Sequence, residues 1–287
     1  MIAIYKRETA SMLRSMIGWV VIAVLLGIAG IYFTNGNLNY GLPYFGYVLS
    51  SVSFFLVFLC PALTMRTFAE EKRQKTDQLL LTAPVSVGNI VMGKYLALLT
   101  VFAIPTGIFA LYPLILNQYG AVPMAETYAT LLAFFLLGAA CLAVGMFFSS
   151  ITEHQVVAFV TAVVVLVVSY LMTGLQTIIT AGSGSALVLF SVLAAAIGGL
   201  LWYFTKSFVL GAGVFTVAEL ALAVVTATRS SAVTSAFTSV LDSLALFDRF
   251  SGFLNGTLDL GAYLYLISAA GLFVFFTVQA LEKRRWS

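Results

Sequence analysis

Between Ile17 and Met65 the chain carries no Asp, Glu, Lys or Arg. A soluble domain cannot solvate a run of that length. A helix of about 20 apolar residues spans a bilayer, and inside lipid the backbone must satisfy its own hydrogen bonds. Two crossings fit into this run. At its end the character reverses: "MRTFAEEKRQKTDQLLLTAPVS", residues 65–86, packs Arg66, Glu70, Glu71, Lys72, Arg73, Lys75 and Asp77 together, with Lys94 trailing. Any account of the chain has to explain this block.

The rest of the sequence agrees with the opening run. Apolar residues make up 61% of the 287 positions and charged residues 9%, against about 25% charged in soluble domains. The expectation is an all-α polytopic membrane protein formed as a single transmembrane domain over 1–287. Eight apolar windows suggest spans at 16–34, 45–66, 95–117, 127–149, 154–174, 185–205, 207–227 and 262–280. The sixth and seventh are separated only by "FTKS" and read alternatively as a re-entrant pair. Lys6, Arg7 and Arg14 precede the first window, which is longer than a leader's apolar core and lacks a small-residue cleavage site, so it reads as a retained span.

With the N-terminus in the cytoplasm, twelve Lys and Arg fall on the inner side and only Arg229 and Arg249 on the outer side. That bias orients the chain with both termini cytoplasmic. Residues 1–15 suit an interfacial helix with Tyr5, Met12, Leu13 and Met16 on one face, the alternative being a charged tag without fixed structure. An external amphipathic segment is expected at 238–260. The net charge of +3 is too small to argue for a nucleic-acid partner. Cys60 and Cys141 both sit in apolar runs and read as small buried hydrophobes, with no metal site expected.

On this topology 66–94 is a cytoplasmic loop. Phe68 to Leu81 lacks Pro and Gly, so a helix continuing out of the second span is expected, ended by Pro84, with Ser86 capping the next. Leu79, Leu80 and Leu81 stand exposed unless covered. They either dock into a groove on a soluble partner or dip back into the interface. The second internal turn, "FSSITEHQVVAF", offers capping-box spacing at Thr152/Gln155 and at Ser150/Glu153, and places Glu153, His154 and Gln155 toward the cytoplasm. His154, the single histidine, reads as a polar loop residue rather than a ligand.

"GNIVMGKY", Gly88 to Tyr95, has the glycine and lysine spacing of a phosphate-binding loop, but Tyr95 stands where a Ser or Thr should hold magnesium, and no strand precedes it. The chain is therefore not expected to hydrolyse ATP, and no other catalytic motif occurs. Glu219, well inside the seventh window, is a candidate intramembrane polar site, or else a protonated or hydrogen-bonded residue between helices.

Three stretches carry a family resemblance. "FAEEKRQKTDQLLLTAPVSVGNIVMGKYLA" (68–97) resembles the cytoplasmic loop of ABC-2-type transporter permeases, nearest to the gliding-motility-associated type and its copper-enzyme-maturation relatives. "FFSSITEHQVVAF" (147–159) resembles that family's second internal turn, and 246–286 its last external helix and final span. The resemblance implies a six-span core with an N-terminal elbow helix, so that 176–230 reads as an inserted pair of spans.

The same resemblance implies a separate ATPase subunit that carries ATP and magnesium, while this chain holds no cofactor of its own. A second permease, identical or paralogous, completes the pair, and an accessory extracytoplasmic protein is compatible with it. The implied setting is a bacterial plasma membrane. The implied ATPase-coupling residues are Glu70, Glu71, Lys72, Arg73, Thr76, Asp77, Leu79, Leu80 and Leu81, with Thr152, Glu153, His154 and Gln155 in the second turn; this favours docking for the leucines. Two other functions remain open on the residues themselves: an ion- or proton-coupled carrier using Glu219, and a membrane anchor that transports nothing.

Overall fold

The computed structural model describes residues 1–41, 44–76, 85–118, 120–179, 191, 245–254 and 259–286. Among them the secondary structure is helical, in the order α1 (Ile2–Arg14), α2 (Met16–Tyr32, continued by a π-helical segment Phe33–Asn39), α3 (Gly46–Thr64), α4 (Ala69–Arg73), α5 (Val87–Phe109), α6 (Tyr112–Leu116), α7 (Met124–Ile151), α8 (Gln155–Ile179), α9 (Leu246–Leu254) and α10 (Leu260–Trp286). Six helical runs are long and apolar enough to cross a membrane: Met16–Asn39, Gly46–Arg73, Val87–Leu116, Met124–Ile151, Gln155–Met172 and Leu260–Arg284. They coincide with the first five expected spans and the last. The expected spans at 185–205 and 207–227, and Glu219 with them, lie outside the described residues.

The chain forms two compact units, Met1–Tyr170 with Leu246–Ser287, and Leu171–Ala245. The first contains everything that follows. Its centre is α7, which packs against α3, α5, α9 and α10; 72% of its apolar window is buried, the highest share of the six. A helix that is apolar on every side belongs inside, and small residues let its neighbours come close. At Gly145, a Cβ would stand 2.1 Å from the Thr64 hydroxyl of α3. No larger side chain fits there without moving α3 away.

A sharp elbow separates α1 from α2. Ser15 leaves the helical region at ψ 143°, its hydroxyl donates to the Met12 carbonyl at 2.9 Å, and it accepts the Gly18 amide at 3.4 Å. The Trp19 indole donates to the Leu13 carbonyl at 2.6 Å. At Gly18 a Cβ would stand 2.4 Å from the Met12 carbonyl oxygen, so the close turn requires glycine. From this elbow α1 runs back along α5, with Tyr5 hydrogen-bonded to Thr100 at 3.0 Å. Its inward face is Ile4, Tyr5, Glu8, Thr9, Met12 and Leu13. The expectation for Met16 needs correcting: it opens α2 and is 82% exposed, because the elbow interrupts the helical face before it.

Within the expected segment 238–260, the described residues form the helix α9. Leu246, Phe247, Phe250 and Phe253 are buried on one stripe, while the Arg249 guanidinium lies over the Tyr265 ring, 5.6 Å from its centroid. The Phe253 carbonyl, one of those that a helix end leaves without an intrahelical partner, accepts from Tyr44 at 3.0 Å and Thr130 at 3.3 Å.

The helix expected from Phe68 to Leu81 is also corrected. Within the run Gly46–Arg73, α3 stops at Thr64, a turn follows, and α4 runs only from Ala69 to Arg73. It is closed by a Schellman arrangement in which Thr76 N–H donates to the Glu71 carbonyl and Lys75 N–H to the Lys72 carbonyl. Lys75 adopts φ +58°, the left-handed conformation that reverses the chain. The absence of Pro and Gly did not keep the helix going, because a lysine occupies the position where glycine is usual.

Candidate functional site

The ends of α1, α3, α5, α7 and α10, together with α4, bring the charged residues to one end of the bundle. Lys94, on the second turn of α5, is the pivot. Its side chain is only 1% exposed, and Nζ donates to Glu71 Oε1 at 2.8 Å and to the Thr67 carbonyl at 2.8 Å. Glu8 of α1 approaches the same ammonium at 3.5 Å, and the Phe68 ring centroid lies 5.0 Å away. Arg7 completes the group, with Nη2 2.6 Å from Glu8 Oε1 and 3.4 Å from Glu71 Oε1. Two cations and two carboxylates therefore join the elbow helix, the loop helix and the third span. The hydrogen bond to Glu8 raises the Arg7 pKa above its ordinary value, which keeps the guanidinium charged throughout the accessible range.

The loop helix is also attached to α7. Phe68, its N-cap residue, has no side-chain oxygen with which to cap it. Ser149 of α7 supplies one: its Oγ accepts from the amides of Phe68 at 3.1 Å and Ala69 at 3.2 Å. The same hydroxyl lies 3.2 Å from the Met65 carbonyl, to which it donates. One serine thus fastens the end of α3 and the start of α4. Lys72 is buried and donates through Nζ to the Ser150 carbonyl. A cation at the C-terminal end of α7 is also favoured by the helix dipole.

The second turn differs in detail from the capping boxes expected there. Ser150 is still part of α7 and donates to the Phe147 carbonyl at 2.7 Å. Thr152 accepts from the His154 amide at 3.0 Å in a tight turn, and α8 begins at Gln155. The polar side chains compete for nearer backbone groups, as Ser and Thr do at helix ends. Glu153 and His154 are exposed, and Glu153 lies 3.5 Å from Arg284 of α10.

The expected coupling residues therefore separate into two sets. Glu71 and Lys72 turn inward and hold the loop to the bundle. Arg73 and Thr76 are exposed and Glu70 is half-buried; the Glu70 carboxylate accepts from Gln74 at 3.4 Å. Asp77, Leu79, Leu80 and Leu81 lie outside the described residues. Sequence reasoning missed Arg7, Glu8, Lys94 and Ser149. A weak signal existed for the charged three: balanced charges within otherwise apolar sequence need partners. Nothing in the sequence marked Ser149.

The segment with phosphate-loop spacing, Gly88 to Tyr95, lies wholly within α5. Its backbone amides point along a helix rather than around an anion, and Lys94 is already engaged by carboxylates. What the arrangement provides is a set of contacts: α4 is held to α7 through Lys72 and Ser149, and to α5 and α1 through Glu71, Lys94 and Arg7.

A family model described as "ABC-2 family transporter protein" matches residues 28–194, more than half of the chain. The match takes in the charged loop and the second turn and ends before the last span. No curated protein matches the chain. The family's domain is a membrane component and not itself an ATPase, and membership implies, in general terms, an ABC ATPase partner and dimerisation. With six apolar helices long enough to cross a membrane and this match, the chain is a multi-pass membrane protein that belongs to the ABC-2 family of transporters.

Proposed function

We propose that the chain is the membrane-spanning permease subunit through which a separate ATPase drives export, or mechanical work, across a bacterial plasma membrane, both termini facing the cytoplasm. The observation that carries this reading is the fastening of α4 to the bundle. The charged loop is braced by Lys72 on the Ser150 carbonyl and by Lys94 on Glu71. A loop that merely solvated the chain would need no such bracing; a loop that transmits force would. The exposed Arg73 and Thr76, the half-buried Glu70, and the segment 77–84 beyond them are left to meet the ATPase, with Leu79 to Leu81 as its apolar contact. Thr152, Glu153, His154 and Gln155 form the second, smaller contact.

ATP and magnesium belong to the partner, and a second permease, identical or paralogous, pairs with this one. Nucleotide can drive the pair only through its differential affinity for two conformations. Within the family, the gliding-motility-associated type and its copper-enzyme-maturation relatives remain the nearest resemblance, carried by 68–97.

Charge reversal separates the outward residues from the bracing ones. The chain is extracted in mild detergent from its native membrane, and an ATPase subunit is expected to co-purify. Glu70→Lys with Arg73→Glu is expected to release that subunit while leaving the permease folded. A wild-type chain that never retains an ATPase, or that drives gradient-coupled uptake alone in liposomes, would remove this reading.

A further inference from the structure

A cavity of about 510 Å³ lies among α1, the start of α2 beyond the elbow, the end of α3, α4 and α5. Its size falls within the range of small-ligand sites, about 300–1,000 Å³. Its lining divides by chemistry. Met12, Ile17 and Leu63 form an apolar wall, and the charged lining sets Arg7, Arg66 and Lys94 against Glu8, Glu70 and Glu71. Arg66 is exposed and makes no ion pair among the described residues, so its guanidinium is available.

Two oxygens at this cavity lack partners. Thr67 is 5% exposed, lines the cavity, and its Oγ1 has no hydrogen bond. Glu71 Oε2 is likewise buried without a partner, although Oε1 of the same carboxylate is engaged by Lys94 and Arg7. Buried polar atoms are nearly always satisfied, and a carboxylate oxygen is satisfied only by a donor. Thr67 Oγ1 turns about the Cα–Cβ bond, so it can meet a donor brought into the cavity; the Glu71 carboxylate is held through Oε1 by Lys94 and Arg7 and offers its second oxygen.

On the proposed topology the cavity sits at the level where spans meet the bilayer surface. Ile17 is the second residue of the first span, and Leu63 lies on the run Gly46–Arg73 that leaves the membrane on the same side. Met16, 82% exposed, and Trp19, 57% exposed, flank the lining residue Ile17 in the sequence, and tryptophan near the end of a span marks the headgroup boundary.

We propose that this cavity binds the headgroup of a phospholipid carrying a primary ammonium, of the ethanolamine class. The ammonium donates to Thr67 Oγ1, Glu71 Oε2 and Glu70. The phosphate is held by the free Arg66 and the outer edge of Arg7, in the forked geometry that guanidinium groups offer phosphates, and the glycerol and first methylenes lie on Met12, Ile17 and Leu63. A choline headgroup fails because its quaternary nitrogen has no N–H for the two orphaned oxygens. A glycerol headgroup fails because it leaves Glu70 and Glu71 facing a net anion. The assignment goes beyond coupling to an ATPase and holds whichever partner docks on α4.

The full chain, delipidated in detergent and monitored by circular dichroism for retained helix, is exposed to an equimolar mixture of phosphatidylethanolamine, phosphatidylcholine and phosphatidylglycerol with matched acyl chains. Native mass spectrometry then reads the adducts. One ethanolamine lipid is expected to be retained with a preference of about tenfold, the scale of one charge-assisted hydrogen bond. Glu70→Gln is expected to reduce that preference, and Arg66→Ala to lower retention of all three lipids together, since all carry the phosphate; neither residue is part of the Lys94 ion pairs, and helical content is expected to be kept in both. Equal retention of choline and ethanolamine lipids overturns the proposal, and so does a preference unchanged in Glu70→Gln together with retention unchanged in Arg66→Ala. Displacement of the lipid by equimolar free phosphoethanolamine also overturns it, in favour of a soluble zwitterion.

Discussion

Lys94 Nζ lies 2.8 Å from Glu71 Oε1, and the lysine side chain is 1% exposed while that of the glutamate is 21% exposed. A single ion pair thus ties the short helix of the charged loop to the third span, 23 residues further along the chain. Its depth gives it weight that surface pairs lack, since exposed pairs contribute about 0–1 kcal/mol. Removing one partner from a buried pair instead strands the other, at a cost of about 3–5 kcal/mol. Glu8 lies against the same ammonium, so the loss of Lys94 would leave two carboxylates facing only Arg7.

Lys94→Met keeps the length of the side chain and removes the charge. A loss of about 3 kcal/mol is expected from the pair, measured as a fall in the thermal unfolding midpoint of the purified chain in detergent. Adding Glu71→Gln to that background is expected to recover part of it, because the uncompensated carboxylate is then gone. Strict additivity of the two substitutions would mean that the pair carries no coupling energy.

Ser149→Ala removes a hydroxyl that serves Phe68 N–H, Ala69 N–H and the Met65 carbonyl at once. Leaving such buried groups unsatisfied costs about 1–3 kcal/mol. The damage is expected to be local: amide exchange should accelerate at residues 65–73 and remain unchanged in α2. Unaltered exchange at Phe68 and Ala69 would show that Ser149 does not cap α4.

How much of this was legible beforehand follows from what each feature depends on. The span from Met16 and the span from Met124 are written in long charge-free runs, which only lipid or a helical core can accept, so their positions in the sequence and the structure agree closely. The elbow at Ser15 was half legible: the basic and apolar pattern of 1–15 suggested a helix, but the break depends on Gly18 fitting under the Met12 carbonyl, a packing fact. The charged loop was legible as a block and not as individual roles. Glu70 and Glu71 are adjacent and chemically the same, yet one accepts from Gln74 on its own helix and the other from a lysine 23 residues on. Periodicity on a helix of five residues cannot distinguish them. Ser149 was illegible because its function lies in another helix's missing cap.

Lys75 at φ +58° is the one described non-glycine residue in the left-handed region. That conformation costs a side-chain-bearing residue about 1–2 kcal/mol, and glycine avoids the cost. Lys75→Gly is therefore expected to raise stability slightly, offset in part by the greater freedom of the unfolded chain. Lys75→Val, β-branched and poorly suited to this conformation, is expected to lower it. Both are read from thermal unfolding, with exchange at Thr76 reporting the Schellman bond to Glu71. If valine proves as stable as lysine, the turn at Lys75 does not persist in solution.

Gly145 of α7 and Thr64 of α3 are in close contact near the charged end. A Cβ at Gly145 would meet Thr64 Oγ1 at 2.1 Å, Cβ at 3.1 Å and Cγ2 at 3.4 Å. The hydroxyl cannot simply swing aside, because it donates to the Cys60 carbonyl at 3.0 Å within a helix that already lacks the amide of Pro61. Gly145→Ala should therefore push the helices apart, at a cost of about 1–3 kcal/mol, as is typical of overpacking. Thr64→Ala alone should cost less, since it removes one back-bonded hydroxyl and leaves a small void. Combined, the two are expected to be more stable than Gly145→Ala alone: truncation removes the atoms at 2.1 and 3.4 Å and leaves only the tight but tolerable one at 3.1 Å. A double variant no better than the single alanine would mean that the approach of α3 to α7 is set elsewhere along their contact, and not at this glycine.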